Sequence, residues 1–311
     1  MSAPRPEDGP AERAGEAAVA SVLVLANAEK PAVRGLIAEL EPWLRARVKH
    51  VDVRTDVRAF REERAAALAA GRAAARPDLV VVLGGDGAIL GAVHAFSEAP
   101  VRTLGINLGQ VGFLAATPAA SWRDALAACL AGEAVEERRM RLEARWEHEG
   151  ERHSAIALNE ITLQRSSHAG MIQAALWDGS DWVTNYRADG VIVATPSGST
   201  AYSLSAGGPI LETSLEAVVV TPICPQGLSN RPLVLPATAS LSLVATRASG
   251  SATLAIDGQD FHRLEPGTTV HLARHPVDVP LLWMRGMDPY RRLRERLGWS
   301  GTLGLPPERS A

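Results

Sequence analysis

Lysine is nearly absent from this 311-residue chain, since only Lys30 and Lys49 among its 32 basic residues are lysines. Arginine side chains and backbone amides are therefore the expected anion-binding groups. The 35 acidic residues give a net charge of −3. A chain with this balance has no general positive field that would attract nucleic acid or an anionic membrane, so neither is expected as a partner.

Cysteine and long apolar runs are also scarce. Cys129 and Cys224 stand in unrelated sequence contexts, which gives neither a disulfide framework nor a cluster of metal ligands. No stretch approaches the roughly twenty consecutive apolar residues of a membrane span, and residues 1–18 lack the apolar core of a signal peptide. We therefore expect a cytoplasmic protein with a disordered tail at residues 1–18 and a second tail at residues 301–311.

The first half of the chain alternates short β-branched runs with longer segments rich in alanine, leucine, arginine and glutamate. Strands are predicted at residues 21–25, 50–53, 79–83 and 101–106, and helices at residues 31–48, 57–75 and 122–131. This alternation is typical of β-α-β units around a parallel sheet. Residues 19–138 are thus predicted to form a Rossmann-like α/β domain.

After residue 140, helical periodicity gives way to strand-like segments broken by glycine, proline and serine. The predicted strands are residues 142–147, 154–163, 173–177, 190–194, 217–221, 240–246, 252–256 and 268–272. Residues 139–279 are therefore predicted to form a β-rich, β-sandwich-like domain. An arginine-rich amphipathic segment follows at residues 290–297. We expect the binding site in the crevice between the two domains.

The sharpest local feature is the glycine-rich turn at residues 84–87, which surrounds Asp86 and follows the predicted strand 79–83. Doubly wound sheets bind ligands outside the carboxyl ends of their strands, and glycines let the backbone approach a polyphosphate closely. A carboxylate among phosphates is unfavourable unless it binds a metal ion or accepts a proton from a hydroxyl nucleophile. Asp86 is therefore a candidate base for phosphoryl transfer. The alternative is a turn in which Asp86 caps the following helix.

Two further segments carry candidate binding groups. Residues 107–114 form a second strand-to-glycine exit, where Phe113 either packs on an adenine ring or belongs to the core. Residues 195–209 combine hydroxyl groups with glycines, a composition suited to hydrogen bonds with ribose, amide or phosphate groups. A helix capped by a hydroxyl side chain is expected to start near Ser199. No glycine-rich loop ends in Lys-Ser or Lys-Thr, which argues against a P-loop NTPase.

In order and spacing, these segments resemble the motifs of the NAD kinase family. The resemblance spans roughly residues 20 to 300 and rests on residues 84–87, 107–114, 158–160, 189–190 with 195–209, 221–232 and 257–259. Diacylglycerol kinases and phosphofructokinases share the Gly-Gly-Asp-Gly element alone, whereas six motifs in series are specific. The resemblance implies transfer of the γ-phosphoryl group of ATP to the 2′-hydroxyl of the adenosine ribose of NAD, which gives NADP.

The resemblance also implies a cofactor, an assembly and a return of the chain. Mg²⁺ or another divalent cation accompanies ATP, and no side chain is assigned as a metal ligand. The chain assembles as a homodimer or homotetramer. Residues 280–300 return to complete the N-terminal domain.

Roles at the reacting groups follow from the same resemblance. Asp86 activates the 2′-hydroxyl of NAD, with Gly87 beside the substrate. Phe113 lies near the adenosine half, and Arg187 meets the newly added phosphate, for which its planar guanidinium is well matched. The implied phosphate loop consists of Gly84, Gly85 and Gly87.

Further matching residues are implied to bind the dinucleotide. Asn159 and Glu160 hold a ribose, whose hydroxyls suit paired acceptors, and Asp189 contacts the nicotinamide amide. Gln259 approaches the nucleotide from the β-rich domain. The dinucleotide site is lined by Thr200, Ala201, Tyr202, Ser203, Leu204 and Ser205.

The sequence departs from the family at Ala88, where threonine commonly follows the Gly-Gly-Asp-Gly element. The missing hydroxyl bears on the rate and on the preferred phosphoryl donor. One alternative is therefore a catalytically weak NAD(P)-binding regulator. Another is a lipid or sugar kinase that shares the Gly-Gly-Asp-Gly element, although such a kinase does not account for Asn159, Glu160 and Asp189 together.

Overall fold

A computed structural model describes residues 19–109, 112–115, 117–166, 170–247, 252–286 and 289–299. Both predicted tails lie outside these residues. None of the helices in the described ranges is both long and apolar enough to cross a membrane.

The N-terminal half alternates strands and helices. Its elements are β1 (Ser21–Ala26), α1 (Pro31–Arg45), β2 (His50–Arg54), α2 (Val57–Ala69), β3 (Leu79–Leu83), α3 (Asp86–Ala95), β4 (Thr103–Asn107), β5 (Thr117–Pro118), a 3-10 turn (Ala119–Ser121) and α4 (Trp122–Leu130). The strands β2, β1, β3 and β4 lie side by side in this order, and each pair is parallel. The carboxyl ends of these strands therefore meet at one edge of the sheet.

Helices cover both faces of this parallel sheet. All five residues of β3 are buried. Because side chains alternate along a strand, Val80 and Val82 pack in the layer of α3, whereas Val81 packs in the layer of α1 and α4. A strand buried on both faces explains the continuous apolar run in the sequence.

The C-terminal half consists mostly of strands. Its elements are β6 (Val135–His148), β7 (Glu151–Ala157), β8 (Glu160–Arg165), β9 (Ile172–Asp178), β10 (Asp181–Ala188), β11 (Gly190–Ala194), a 3-10 turn (Gly198–Thr200), α5 (Tyr202–Ser205), β12 (Ala217–Ile223), β13 (Leu233–Pro236), β14 (Leu241–Arg247), β15 (Ala252–Ile256), β16 (Asp260–Leu264), β17 (Thr269–Trp283) and α6 (Pro289–Leu297). Six of these strands form an antiparallel sheet in the order β13-β12-β11-β8-β15-β16.

The other sheet runs through both halves of the molecule. Near its end, β17 pairs in parallel with β4, where Leu281 faces Thr103. Near its start, β17 pairs in antiparallel fashion with β14, where Leu272 faces Leu241. This sheet has eleven strands, and a hydrophobic core fills the space between its antiparallel part and the six-stranded sheet. The predicted fold class, a parallel N-terminal α/β region followed by a β-rich region, is confirmed.

Two predicted elements end at different residues in the structure. The helix predicted at residues 57–75 stops at Ala69, because Gly71 takes a left-handed φ of 67°, a conformation that commonly ends helices. The strand predicted at residues 268–272 continues to Trp283 as β17, because β6 pairs with it over most of its length. The identity of that partner strand is not visible in the local sequence.

Two other predicted elements are interrupted by hydrogen bonds from side chains. The strand predicted at residues 154–163 is divided into β7 and β8, because the amides of Leu158 and Asn159 bind the Asp257 carboxylate. The helix predicted to start near Ser199 is a 3-10 turn followed by the four-residue α5. There the Gly198 amide binds the Thr195 hydroxyl at 3.1 Å.

Candidate active site

Asp86 stands where β3 runs into α3, at the carboxyl end of the parallel sheet. Its Oδ2 accepts a hydrogen bond from the amide of Phe113 at 2.9 Å. Its Oδ1 accepts from the amides of Leu114 at 3.0 Å and Ala115 at 2.9 Å. The N-cap of α3 is Gly85, and the Asp86 side chain binds the turn after β4 instead. The helix-cap alternative for Asp86 is therefore wrong.

Gly112 permits this close approach between the turn and the carboxylate. A Cβ atom at position 112 would lie 2.0 Å from Asp86 Oδ1, so a side chain there would push the turn away. A carboxylate has about four acceptor positions. The three amides occupy two positions on Oδ1 and one on Oδ2, so the described contacts leave one acceptor position on Oδ2 for another donor.

A second aspartate holds the start of β8 in a similar way. Asp257 Oδ1 accepts from the amides of Asn159 at 2.8 Å and Glu160 at 2.9 Å. Its Oδ2 accepts from the amide of Leu158 at 2.8 Å and contacts His94 Nε2 at 2.8 Å. These four contacts occupy the acceptor positions of the buried carboxylate, so Asp257 has none left for a substrate.

The turn between β15 and β16 joins this second cluster to the glycine-rich turn. Gln259 Nε2 donates to the Gly87 carbonyl at 3.2 Å. Gln259 Oε1 accepts from Arg61 Nη1 of α2, also at 3.2 Å, and Arg61 forms an ion pair with Asp260. One turn of the β-rich half therefore contacts both the loop of Asp86 and a helix of the N-terminal half.

Asn159 and Glu160 each carry a buried acceptor atom that is available to a ligand. Asn159 Oδ1 and Glu160 Oε2 make no hydrogen bond within the described part of the chain. Burial raises the pKa of Glu160 to about 8, with help from the charge of Asp257 and against the effect of the Tyr202 amide. A largely protonated Glu160 can donate as well as accept at neutral pH. Both side chains therefore suit a ligand hydroxyl, which would remove the cost of an unsatisfied buried acceptor.

The turn that follows β11 packs tightly on the chain before β8. The amide of Thr195 donates to the Asn159 carbonyl at 2.8 Å, and the Thr195 hydroxyl donates to the Leu158 carbonyl at 2.6 Å. Gly198 lies so close that a Cβ atom there would be 2.1 Å from the Asn159 carbonyl oxygen. The turn and the unpartnered acceptors therefore share one backbone segment.

The residues of this turn that sequence analysis assigns to the dinucleotide site face different directions. Ser203 is buried, and its hydroxyl lies 2.8 Å from the Thr221 hydroxyl. The Thr200 hydroxyl donates to the Ser197 carbonyl at 3.1 Å. The exposed members are Tyr202 and Ser205, and the half-buried members are Ala201 and Leu204.

Asp189 lies at some distance from these groups, and Arg187 has no described contact with them. Asp189 forms an ion pair with Arg165 at 3.0 Å, and Arg187 is exposed on β10. The register between β8 and β11 places Asp189 and Glu160 at opposite ends of the strand pair, on the order of 15 Å apart at ~3.4 Å per residue. No hydrogen bond or ion pair described for this chain connects Arg187 to Asp86.

The turn beside Asp86 has contacts that sequence analysis missed. Phe113 is half-buried, and Arg296 of α6 lies over its ring at 5.7 Å from the centroid. Arg292 Nη1 donates to the Phe113 carbonyl at 3.2 Å. Arg292 and His94 have partners 179 and 163 positions away, so no local pattern indicates either contact. Asp257 has a signal, since it stands in a family-like motif next to Gln259.

The side chains that the structure describes do not by themselves form a resident metal site. Within the described ranges, no three His, Cys, Asp or Glu side chains are placed to hold a metal ion. Mg²⁺ is usually held by one or two carboxylates together with the phosphates of a substrate. The phosphates of a nucleotide would therefore supply most of the ligands of a cation that arrives with it.

Two family models match the chain over most of its length. The ATP-NAD kinase N-terminal domain matches residues 22–134, and the ATP-NAD kinase C-terminal domain matches residues 158–282. The chain belongs to the ATP-NAD kinase family. The first match contains Asp86, and the second contains Asn159 and Glu160, so the candidate site is built from both family domains.

Individual members of the family resemble this chain closely. It is 41% identical over 229 residues to the NAD kinase of Rhodopirellula baltica, covering 73% of this chain and 74% of that protein. It is 35% identical over 280 residues to the NAD kinase of Koribacter versatilis, covering 90% and 98%.

Solved structures agree with this membership. An NAD kinase from Archaeoglobus fulgidus in complex with ATP has a TM-score of 0.69 at 25% identity, covering 89% of this chain and 97% of that chain. Yeast NADH kinase complexed with NADH has a TM-score of 0.78 at 24% identity, covering 92% and 90%. The second likeness concerns the fold.

Proposed function

We propose that this protein is an NAD kinase, which transfers the γ-phosphoryl group of ATP to the 2′-hydroxyl of the adenosine ribose of NAD and forms NADP. Membership of the family supplies the reaction. The observation that carries the mechanism is the Asp86 carboxylate, which three amides hold at the carboxyl end of β3 with one acceptor position left on Oδ2.

In the proposed mechanism, the 2′-hydroxyl of NAD donates a hydrogen bond to Asp86 Oδ2. The carboxylate takes the proton while the hydroxyl oxygen forms a bond to the γ-phosphorus of ATP. The bond from the γ-phosphorus to the β,γ-bridging oxygen breaks, so that NADP and ADP form, and Asp86 later releases its proton to solvent. The three amides fix the carboxylate before substrate binds, which lowers the cost of reaching the reactive geometry.

The dinucleotide is proposed to bind through groups at the two ends of the β8–β11 strand pair. The unpartnered acceptors of Asn159 and Glu160 suit ribose hydroxyls, because a protonated Glu160 both donates and accepts. Asp189 is proposed for the nicotinamide amide. Its separation from Glu160 along the strand pair suits a substrate that has two nucleoside halves. The role of Arg187 on the new phosphate stays a prediction from the resemblance.

The remaining assignments also stay predictions. The glycines of residues 84–87 are proposed to contact ATP, Phe113 and Gln259 to contact the nucleotide, and residues 200–205 to line the dinucleotide site. Mg²⁺ is proposed to arrive with ATP. A homodimer or homotetramer, a cytoplasmic location and the division at residues 138 and 139 are proposals of the same kind.

Formation of NADP by the purified protein from NAD, ATP and Mg²⁺, followed with an NADP-specific dehydrogenase, tests this function. We expect Asp86→Asn to lower kcat by about 10²–10⁴-fold, because an amide cannot accept the proton. NAD binding should persist in the variant. Asp52→Asn removes an exposed carboxylate of β2 and should leave kcat unchanged.

Two results would contradict the proposal in different ways. Near-normal turnover by Asp86→Asn would remove Asp86 from the role of base while leaving the reaction in place. If the wild-type protein binds NAD but shows no turnover with any phosphoryl donor, the result would favour the alternative of a catalytically weak NAD(P)-binding regulator. Ala88 is the residue that suggests this alternative.

A further inference from the structure

The C-terminal helix α6 lies against the turn that holds Asp86. Arg292 Nη1 of α6 donates to the carbonyl oxygen of Phe113 at 3.2 Å. The amide of Leu114 belongs to the same peptide group as that carbonyl, and it donates to Asp86 Oδ1 at 3.0 Å. Arg292 and Asp86 therefore contact opposite ends of a single peptide group.

The guanidinium of Arg292 is held in this place by an aromatic ring and by acidic neighbours. Its Cζ atom lies over the ring of Trp283, 4.3 Å from the centroid, and Trp283 is the buried last residue of β17. Burial lowers the pKa of Arg292, whereas the charges of Glu137, Asp86 and Glu212 raise it. An arginine keeps its charge under these conditions, because its ordinary pKa is far above neutral pH.

We propose that Arg292 is a positioning residue for Asp86 and acts on it through the Phe113–Leu114 peptide group. A cation at the carbonyl end polarises the peptide, so its N–H becomes a stronger donor to the carboxylate. The same hydrogen bond fixes the turn that orients Asp86 towards its substrate. This role rests on the proposed function, because it acts on the carboxylate that serves there as the base.

A second arginine, Arg139, carries a buried charge near the same Trp283 ring. Arg139 of β6 is buried, its Nη1 donates to the Ser197 hydroxyl at 3.2 Å, and its Nη2 lies 2.9 Å from Glu137 Oε2. Arg139 also faces the ring of Trp283, with Cζ 5.6 Å from the centroid. The charge of Glu137 therefore acts on both arginines. Of the two, Arg292 is the one that donates a described hydrogen bond to the Phe113 carbonyl.

Steady-state kinetics of Arg292→Gln and Arg292→Lys test the proposal. We expect Arg292→Gln to lower kcat by about tenfold or more, since a small misplacement of a reacting group can cost that much. The KM values for NAD and ATP should stay within about twofold, because in this proposal Arg292 acts on Asp86 and on neither substrate. Arg292→Lys keeps the charge and should recover part of kcat. Arg294→Gln removes the same charge at an exposed position of α6 and should have the kcat and KM values of the wild type.

Several results would overturn the role of Arg292. A raised KM for ATP with an unchanged kcat would make Arg292 a phosphate-binding residue instead. A wild-type kcat in a folded Arg292→Gln would remove the role altogether. If Arg292→Gln does not fold, Arg292→Met, which keeps a long side chain to pack on Trp283 but has no charge, decides in its place. A lowered kcat with unchanged KM values in that variant supports the role, and a wild-type kcat overturns it. Absence of turnover in the wild-type protein would instead overturn the proposed function, and the role of Arg292 with it.

Discussion

Asp86, Asp257 and Glu160 are three carboxyl groups in one region with three different hydrogen-bond environments. Asp257 has its acceptor positions filled by three amides and His94, so it serves to hold the start of β8. Asp86 has three amides and one acceptor position left. Glu160 is buried with an unpartnered oxygen, which favours its protonated form. Their hydrogen-bond partners, rather than their chemical type, distinguish a structural group, a proposed base and a proposed ligand contact.

Glu160 predicts a pH dependence of stability. Its pKa is about 8 in the folded state and 4.5 is its ordinary value, so folding retains a proton that the unfolded chain releases between these values. The stability it contributes is complete below about pH 4.5 and is lost as the pH rises towards 8. Glu160→Gln imitates the protonated form at every pH. We therefore expect the variant to gain stability over the wild type as the pH rises.

Denaturant unfolding of the substrate-free protein at pH 5 and pH 8 measures this effect. The difference in unfolding free energy between Glu160→Gln and wild type should grow by on the order of 3 kcal/mol, since each pH unit over which only the folded state holds the proton contributes about 1.4 kcal/mol. Comparison with the wild type at each pH cancels the other titrating groups. A difference that stays constant with pH would contradict the assignment of the raised pKa.

At the scale of elements, the site is made from segments that leave regular structure. The glycine-rich turn follows β3, the turn with Phe113 follows β4, and the turn with Gly198 follows β11. Each is fixed by hydrogen bonds from a side chain or amide of another segment. The strands supply position, and the turns supply the polar groups.

Gly198→Ala tests whether the turn after β11 must touch the chain before β8. The new Cβ would lie 2.1 Å from the Asn159 carbonyl oxygen, a backbone atom that cannot rotate away. We expect the unfolding free energy to fall by about 1–3 kcal/mol and NAD binding to weaken, because the Thr195–Asn159 hydrogen bond must lengthen. Thermal unfolding and NAD titration measure the two effects.

The control for this change is another glycine. Gly35→Ala places the same methyl group in open space within α1 and should leave NAD binding unchanged. It should also raise stability slightly, since alanine favours a helix over glycine. If Gly198→Ala and Gly35→Ala have the same unfolding free energy and the same affinity for NAD, close contact between the turn after β11 and the chain before β8 is not required.

At the scale of the whole molecule, the eleven-stranded sheet and the turn between β15 and β16 connect the two halves. Gln259 contacts the loop of Asp86 through Gly87 and contacts α2 through Arg61. His94 of α3 contacts Asp257 beside the same turn. A movement of one half against the other therefore alters the contacts of both the glycine-rich turn and β8.

A double-mutant cycle measures this connection. Arg61→Ala and Gln259→Ala should each lower kcat/KM for NAD, and their effects should be coupled by at least about 0.5 kcal/mol, since the side chains share a hydrogen bond. Arg58→Ala with Gln259→Ala is the control, because the exposed Arg58 pairs with Glu62 of its own helix. If the effects of Arg61→Ala and Gln259→Ala on kcat/KM are additive, the hydrogen bond between these two side chains does not contribute to the reaction.

Local sequence determined several elements and selected the candidate residues of the site. β3, β11 and β15 have the predicted bounds, because each is a short apolar run between turn-forming residues. The apolar run at residues 79–83 placed Asp86 after a parallel strand, and the family motifs identified the reaction class. Each strand and each single motif depends on residues close together in the chain, where periodicity and turn chemistry operate.

Tertiary structure alone decided the length of β17, the break between β7 and β8, and the environment of Asp86. The break depends on Asp257, about a hundred positions further along, and the turn at Asp86 depends on Gly112 and Arg292. A carboxylate binds whichever amides the fold brings within about 3 Å, and residues distant in sequence supply them here. Sequence therefore selects the candidate base, whereas the folded chain decides how many of its acceptor positions stay free for a substrate.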